Sequence, residues 1–344
     1  MPDLPEKMPE MPDPKPIING IECTQPYPGS KNKPGDVEDL DGTTVTHYFV
    51  DVVGMRYHFV EAGERDKPVI LMLHGMPECW YAWYYQIRGL SDSYRIIALD
   101  IKGYGQSEKR WDGEYSFAHC SYEVAQLIEL LDIEQFYLVG HDRGSVMGDW
   151  LCAMPGFADR IIKYVRMQQS FNQAHWIPRA DHEGMSSQEG TELYLNPIFP
   201  AILYTGALET PYCTPSRPIS EKCKADGGTG KYKLVSKKID LGIIHRLNEE
   251  FTYPGLAEAV PLTFQGTNFD KEMEDRENYL IPKMTMPVLL LQGEEDEGQP
   301  KESYEGLDEL DGDFRIHFVK CGHFLHLESP DEVTALIRGF IEGE

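Results

Sequence analysis

Short apolar runs alternate with amphipathic helical patterns from about Thr44 to the C-terminus, with one interruption, and this alternation most constrains the fold. The later runs are continuous, as expected for strands that are buried on both faces of a parallel sheet. The first two lie close enough along the chain to form a hairpin. The predicted strands are Val45–Val50, Arg56–Val60, Val69–Leu73, Arg95–Leu99, Phe136–Val139, Ile161–Val165, Val288–Gln292 and Phe314–Val319.

Helical spacing of apolar residues falls between these runs. Apolar residues from Val124 to Leu131 follow i, i+3, i+4, i+7 spacing, and so do those from Val333 to Phe340. Pro330 precedes the second of these stretches, where a proline suits the first helical turn. Strands that alternate with helices in this way predict an α/β fold: an eight-stranded, mostly parallel sheet with helices on both faces.

The alternation breaks in the middle of the chain. Apolar strand runs are absent there, Lys237–Phe251 is compatible with a helix, and Pro211–Lys231 reads as a polar, Gly-rich loop. Such a break predicts an inserted helical cap. The prolines of Met1–Pro16 block both helix and sheet, which predicts an extended or mobile arm. The expected domains are an arm at 1–43, an α/β core at 44–166 and 286–344, and a cap insertion at 167–285.

The composition argues against several classes of binding partner and cofactor. A net charge of -25 argues against nucleic acid and anionic membranes, because both would repel the chain. The N-terminus has no apolar core like that of a signal peptide, and no run is long enough to span a bilayer, so a cytoplasmic protein is expected. The seven cysteines show no CxxC pair, so reduced thiols are expected, with no metal or other cofactor. A small-molecule substrate is expected, and the oligomeric state is left open.

The strongest motif is Gly140-His141-Asp142-Arg143-Gly144, which lies between an apolar strand and a helical pattern. A Gly-x-nucleophile-x-Gly segment in that position makes the sharp, strained turn known as the nucleophile elbow. The residue projected here is Asp142. Taken alone, the segment is equally consistent with a polar turn that caps a helix.

A second segment, His74-Gly75-Met76-Pro77, follows the Val69–Leu73 strand. In folds with a nucleophile elbow, the loop after that strand supplies one oxyanion-hole amide, and the residue after the nucleophile supplies the other. The predicted donors are the backbone amides of Met76 and Arg143. An ordinary turn is the alternative interpretation.

Two further loops follow the last two strands. Cys321-Gly322-His323 places a histidine where it can reach the nucleophile, and His326 is its rival. An acid in the loop after Val288–Gln292 can orient that histidine, and Asp296 is favoured for this role. Its alternatives are the neighbouring glutamates Glu294, Glu295 and Glu297.

An aspartate at the elbow limits the chemistry. A carboxylate that attacks an ester would form a reactive anhydride, whereas its attack on an sp3 carbon forms a stable alkyl ester. Asp142 therefore indicates a substrate with an electrophilic alkyl carbon, either an epoxide or a carbon–halogen bond. The order of oxyanion loop, nucleophile, acid and histidine matches that of the α/β hydrolases.

Five segments resemble the epoxide hydrolase and haloalkane dehalogenase branch of the α/β hydrolases. They are HGMPECWYAW (His74–Trp83), GYGQS (Gly103–Ser107), GHDRG (Gly140–Gly144), GEED (Gly293–Asp296) and CGHFLHLESP (Cys321–Pro330). The resemblance extends from about Thr44 to the C-terminus and is nearest to the epoxide hydrolases. It implies that an epoxide is opened to a diol through an ester on Asp142, which water activated by His323 then hydrolyses.

Hydrolytic dehalogenation of haloalkanes or haloacids is the alternative, because GHDRG resembles the elbow of fluoroacetate dehalogenases. Those enzymes carry a second arginine four residues after the nucleophile, where this chain has Val146. A non-catalytic ligand-binding protein would be expected to have a broken triad, and this triad is intact in the sequence.

Epoxide hydrolases also use two cap tyrosines as donors to the epoxide oxygen. Tyr194 or Tyr204 is a candidate for the first donor. The matching place for the second, around Leu262–Gln265, has no tyrosine, so Tyr253 is the candidate substitute. His74 is a further candidate for the lining of the substrate pocket. His175 and Trp176 are candidates as well, but packing between cap and core is the favoured interpretation of these two residues.

Overall fold

A computed structural model describes residues 15–110, 112–169, 238–256, 259, 262, 274–296, 301–304, 306 and 310–343. Its strands are β1 (Ile17–Ile18), β2 (Ile21–Glu22), β3 (Val37–Leu40), β4 (Thr43–Val52), β5 (Met55–Ala62), β6 (Val69–Leu73), β7 (Arg95–Leu99), β8 (Phe136–His141), β9 (Ile161–Met167), β10 (Val288–Gly293) and β11 (Phe314–Val319).

The α-helices are α1 (Tyr84–Leu90), α2 (Phe117–Leu130), α3 (Arg143–Ala153), α4 (Leu241–Glu250), α5 (Leu325–Glu328) and α6 (Pro330–Glu342). The structure also contains short 3-10 helices and one π-helical turn. These are the 3-10 helices Trp80–Trp83, Ala158–Arg160, Ile281–Lys283 and Lys301–Tyr304 and the π-helical turn Arg276–Leu280.

Nine of the described strands form one sheet in the order β11-β10-β9-β8-β6-β7-β5-β4-β3, and β1 pairs separately with β2. Six neighbouring strands pair in parallel, namely β11, β10, β9, β8, β6 and β7. The strands β5, β4 and β3 continue the sheet beyond β7 with antiparallel pairing. The predicted α/β class is confirmed. All eight predicted strands are present, and the first two, β4 and β5, form the expected hairpin.

The predicted count of eight strands is wrong, because Val37–Leu40 adds a ninth at the edge of the sheet. The core sheet therefore starts before the predicted boundary at residue 44, and the arm predicted at 1–43 does not extend that far. An edge strand pairs on one side only and stays partly exposed, so it needs no continuous apolar run. Val37 is 64% exposed, and the Val-Glu-Asp-Leu run lacks the apolar pattern on which the prediction relied.

Two apolar clusters cover the two faces of the sheet. Helices α2 and α3 contribute to one cluster, and α1, α4 and α6 contribute to the other. Strands β6, β7 and β10 are buried at every position, since both of their faces pack against helices. This burial explains why these strands are continuous apolar runs in the sequence.

Local signals explain the helix ends. The side chain of Ser116 accepts a hydrogen bond from the His119 amide at the start of α2, and Asp240 accepts from the Gly242 and Ile243 amides at the start of α4. Helix α6 ends at Glu342 and is capped by Gly343, whose φ of 91° lies in the left-handed region that favours glycine.

Most of the predicted cap lies outside the described residues, and only its helix α4, predicted within Lys237–Phe251, is described in full. No helix among the described residues combines the length and apolar character needed to cross a membrane. The five described cysteines are buried and free, in keeping with the expected thiols, while Cys213 and Cys223 lie outside the described ranges.

A buried ion pair joins the elbow helix α3 to the neighbouring strand β9. Arg166 binds both carboxylate oxygens of Asp149 at 2.8 Å, and neither side chain is exposed to solvent. The Tyr164 hydroxyl adds a 3.1 Å hydrogen bond to the same carboxylate. Because both charges are buried, each depends on the other for compensation.

Asp149→Asn should lower the free energy of unfolding by about 3–5 kcal/mol, because it leaves the Arg166 charge buried without its partner. Urea unfolding followed by circular dichroism measures the change. The matched control is Asp313→Asn, which breaks the exposed Asp313–Arg315 pair and should cost less than about 1 kcal/mol. Equal losses of unfolding free energy in the two variants would contradict the expectation that breaking a buried ion pair costs more than breaking an exposed one.

Candidate active site

Four loops meet at the carboxyl edge of the parallel strands. They follow β6, β8, β10 and β11 and carry Met76, Asp142, Asp296 and His323 respectively. Parallel strands end at the same edge of a sheet, which is where open α/β folds place their sites.

Asp142 occupies the turn between β8 and α3 with a φ of 49° and a ψ of -115°. A non-glycine residue in this region is strained by about 1–3 kcal/mol and needs a surrounding structure that enforces it. The Asp142 amide donates to the Met167 carbonyl at 3.1 Å, and the Ser145 hydroxyl donates to the same carbonyl at 2.9 Å. These bonds tie the first turn of α3 to the end of β9.

The carboxylate of Asp142 is held by one donor on each oxygen. The Met76 amide donates to Oδ1 at 3.0 Å, and the Gln169 side-chain amide donates to Oδ2 at 3.1 Å. Gly75 permits this approach, because a Cβ there would lie 2.5 Å from the Asp142 Cβ. The Met76 amide thus lies where the predicted oxyanion hole needs a donor.

Arg143, the other predicted donor, is the first residue of α3, and the first amides of a helix have no intrahelical acceptor. Its guanidinium lies 5.3 Å from the ring centre of Phe117. The side chain of Arg143 thus packs beside α2, and the role of its backbone amide in an oxyanion hole stays a prediction.

His323 lies between two carboxylates. Its Nδ1 is 2.8 Å from Oδ2 of Asp296, and its Nε2 is 3.7 Å from Oδ2 of Asp142. The structure thus brings together all three residues of the predicted triad. The longer of the two distances is the one between His323 and Asp142.

The structure also places the rivals elsewhere. His326 is fully buried, with Nε2 2.8 Å from Oε1 of Glu78, and burial lowers its pKa to about 4. Glu295 contacts Lys238 at 2.5 Å, and Glu294 contacts Lys301 at 3.2 Å, both at exposed positions. Glu297 lies outside the described residues.

The charges of the site stabilise one another. Burial opposes ionisation of Asp142, but the hydrogen bond and charge of His323 outweigh it and hold the pKa of Asp142 below its usual value. Burial likewise opposes the charge on His323, and Asp296 together with Asp142 raises the pKa of His323 well above its usual value. The resting site is therefore an aspartate–imidazolium–aspartate arrangement.

A second, fully buried group of polar side chains lies beside the Asp142 turn. Oε2 of Glu78 is 2.7 Å from Nδ1 of His141 and accepts from the Gly75 amide at 2.7 Å. The other ring nitrogen of His141 is 2.9 Å from the His323 carbonyl oxygen. The ring of His141 therefore bridges Glu78, beneath the Met76 loop, and the His323 carbonyl.

The atoms of Glu78, His141 and His326 are close enough together to consider a metal ion. Oε2 of Glu78 is hydrogen-bonded to Nδ1 of His141 at 2.7 Å and to the Gly75 amide, whereas Oε1 of Glu78 and Nε2 of His326 lie 2.8 Å apart without forming a hydrogen bond. We therefore interpret it as a hydrogen-bonded support for the loops that carry Met76 and His323.

The loops of the acid and the base are also joined by Gln168. Its side-chain amide donates to the Gly322 carbonyl at 2.8 Å and accepts from the Gly293 amide at 3.2 Å. Gly293 lets the loops meet, because a Cβ there would lie 2.1 Å from the Gly322 carbonyl oxygen. On the other side, Glu328 accepts from the amides of Gly322 and Phe324.

Several functional neighbours were missed by sequence reasoning: Glu78, His141, Gln168 and Gln169. Glu78 and His141 lie inside recognised motifs, so their position was a usable signal. The two glutamines follow β9 at the point where the strand pattern ends, and no motif marks them.

The remaining candidates have different outcomes. His74 is fully buried, with Nδ1 2.7 Å from the Gly75 carbonyl oxygen and Nε2 accepting from the Ile101 amide at 3.1 Å, so it braces the loop instead of lining a pocket. The ring centre of Tyr253 lies 5.6 Å from Nζ of Lys109, and burial, followed by the charge of Glu250, raises the pKa of its phenol. Its role as a donor stays a prediction. The candidates outside the described residues are His175, Trp176, Tyr194 and Tyr204.

Comparison with known proteins agrees with this geometry. A family model described as alpha/beta hydrolase fold matches residues 68–201. Epoxide hydrolase 4 of Mus musculus is 29% identical over 88% of this chain and 82% of its own length. Epoxide hydrolase A of Mycobacterium tuberculosis is 27% identical over 87% of this chain and 98% of its own length.

The same fold occurs in the crystal structure of an epoxide hydrolase from Vigna radiata. Its TM-score is 0.67 at 22% identity, over 87% of this chain and 99% of that one. The chain has the α/β hydrolase fold and is similar over most of its length to proteins named epoxide hydrolases. It carries the aspartate of its elbow within hydrogen-bonding distance of the Met76 amide and in ionic contact with His323.

Asp142→Asn should lower the pKa of His323, because it removes one of the two negative charges that stabilise the imidazolium. Titration of the histidine ring by nuclear magnetic resonance measures the shift. Glu295→Gln is the matched control, since Glu295 pairs with Lys238 at the surface and should leave the titration unchanged. A pKa of His323 that stays constant or rises in Asp142→Asn would contradict the described ionic contact.

Proposed function

We propose that this protein hydrolyses epoxides to diols through a covalent ester on Asp142. The observation that carries the proposal is the position of Asp142, with one oxygen at the Met76 amide and the other facing His323. The similarity over most of the chain to proteins named epoxide hydrolases supports the substrate class.

In the first half-reaction, Oδ2 of Asp142 attacks an epoxide carbon and the ring C–O bond breaks. The electron pair passes to the epoxide oxygen, which takes a proton from water, and the hydroxide that remains is neutralised by the proton that His323 later releases. The low pKa of Asp142 keeps the carboxylate ionised, so the nucleophile needs no base. The Met76 amide on Oδ1 leaves Oδ2 as the oxygen that faces the substrate side, where His323 also lies.

Ester formation prepares the second half-reaction. Once Asp142 is alkylated, it carries no charge, and His323 keeps only Asp296 as a negative partner. The pKa of His323 then falls, so the ring can release its proton and become a base. The ion pair of the resting enzyme is thereby converted into a base at the moment when a base is needed.

In the second half-reaction, neutral His323 takes a proton from water, whose oxygen attacks Cγ of Asp142. Asp296 stabilises the imidazolium that forms. The amides of Met76 and Arg143 stabilise the negative charge that develops on Oδ1, each by roughly 3 kcal/mol. Collapse of the intermediate breaks the Cγ–Oδ2 bond and releases the diol with Oδ2.

A single turnover in ¹⁸O-water, with enzyme in excess, should label the peptide that contains Asp142 and leave the first product largely unlabelled. Mass spectrometry of the peptide and of the product measures both. The physical reason is that Oδ2 leaves with the product and solvent oxygen replaces it. Label that goes directly into the product would instead indicate attack by water on the epoxide.

His323→Gln should accumulate the ester in the same experiment, because general-base assistance is worth about 10²–10⁴-fold in rate. Asp142→Ala should form no adduct. The matched control is His317→Gln, at a 44% exposed side chain on β11, which should turn over like the unaltered protein. Without an adduct in His323→Gln for any substrate that is turned over, Asp142 is not the nucleophile.

Dehalogenation is the second candidate, because the elbow carries Arg143 after the aspartate. We expect fluoroacetate to be a poor substrate, with no fluoride release above background in a fluoride-electrode assay, while epoxides are hydrolysed. Val146 is buried in the core and cannot supply a second guanidinium to the substrate carboxylate. Rapid fluoride release with epoxides untouched would reverse the order of the two candidates.

A further inference from the structure

Gln169 contacts the proposed nucleophile but has no part in the mechanism above. Its side-chain nitrogen lies 3.1 Å from Oδ2 of Asp142. Because a carboxylate only accepts hydrogen bonds, the amide must present its NH2 group to that oxygen. The Met76 amide occupies the other oxygen, so the two donors distinguish the two oxygens of one carboxylate.

The position of Gln169 is enforced by the buried ion pair behind it. The guanidinium of Arg166 donates to the Gln169 carbonyl and at the same time binds Asp149 of the elbow helix through two hydrogen bonds. Gln168 is held just as firmly, by its bonds to the loops of the acid and the base. Gln169 is therefore attached to the same frame as Asp142.

We propose that Gln169 is a further catalytic residue, which donates to the oxygen that leaves with the product and so accelerates hydrolysis of the ester. The inference rests on the proposed function, because Oδ2 becomes the leaving oxygen only if Asp142 forms the ester. The same hydrogen bond slows the first half-reaction and accelerates the second.

The hydrogen bond from Gln169 to Oδ2 raises the barrier to ester formation in the first half-reaction. Oδ2 forms the new bond to carbon and loses negative charge as it does so. A donor on Oδ2 stabilises the charged starting state more than the transition state, and so weakens the nucleophile. Removing the donor should therefore leave ester formation unchanged or make it faster.

The same hydrogen bond lowers the barrier to ester hydrolysis in the second half-reaction. As the Cγ–Oδ2 bond breaks, its electron pair moves to Oδ2, which becomes an alkoxide until the His323 imidazolium gives it a proton. The ester oxygen of the starting state is a weak acceptor, so the donation from Gln169 strengthens only as charge develops. A donor of this kind lowers the barrier without stabilising the ester itself.

The test is Gln169→Met, which keeps the length of the side chain and removes the donor. Enzyme in excess is mixed with styrene oxide and quenched at intervals, and the Asp142 peptide is analysed by mass for the ester. Ester decay should be slower by about 10- to 100-fold, the usual worth of a hydrogen bond to a charged group. Ester formation should be as fast as in the unaltered protein or faster, so that the ester accumulates.

Two companion variants sharpen the result. Gln169→Glu keeps the shape of the side chain but, when ionised, cannot donate, so it should also slow ester decay. Gln106→Met makes the same replacement at a glutamine whose amide contacts Asn32, and it should behave like the unaltered protein. A merely structural role of Gln169 would slow both half-reactions or lower stability without changing their ratio.

Equal slowing of both half-reactions in Gln169→Met, or no change in ester decay, would overturn the role of Gln169 while leaving the proposed function in place. If neither the unaltered protein nor His323→Gln formed an ester from an epoxide that is consumed, the proposed function itself would fall, and this inference with it.

Discussion

The left-handed backbone at Asp142 is the constraint on which the rest of the site depends. At a φ of 49° the chain turns from β8 into α3 within one residue, and the side chain projects from the turn. The cost of that conformation is met by hydrogen bonds from the first turn of α3 to the end of β9. Asp142 is thus held in a fixed position, and the other residues of the candidate site approach it.

Paired charges hold the approaching loops. Asp149 and Arg166 fix the end of β9 against the elbow helix, and Glu78 connects the Met76 loop to His141 and, through it, to the His323 carbonyl. These charged groups are buried, so moving one loop would leave a buried charge without its partner. The distances between the candidate site residues are therefore maintained by a framework that takes no part in the proposed chemistry.

Much of the fold followed from periodicity. The strands that are buried on both faces, such as β6 and β10, could be predicted because burial demands continuous apolar runs. The edge strand β3 was not predicted, because it is partly exposed and needs no continuous apolar run. The elbow and its partners could be predicted because strained turns and loops at strand ends leave local motifs.

The sequence by itself determined the α/β alternation, the aspartate at the elbow and the order of the loops, since each depends on neighbouring residues. Only the tertiary structure shows that His323, and not His326, lies between Asp142 and Asp296, and that Glu294 and Glu295 contact surface lysines. These contacts depend on which side chains the packed loops bring together. The contact of Gln169 with Asp142 was decided in the same way. It joins residues 27 positions apart, and no local pattern encodes a distance set by the pairing of β8 with β9.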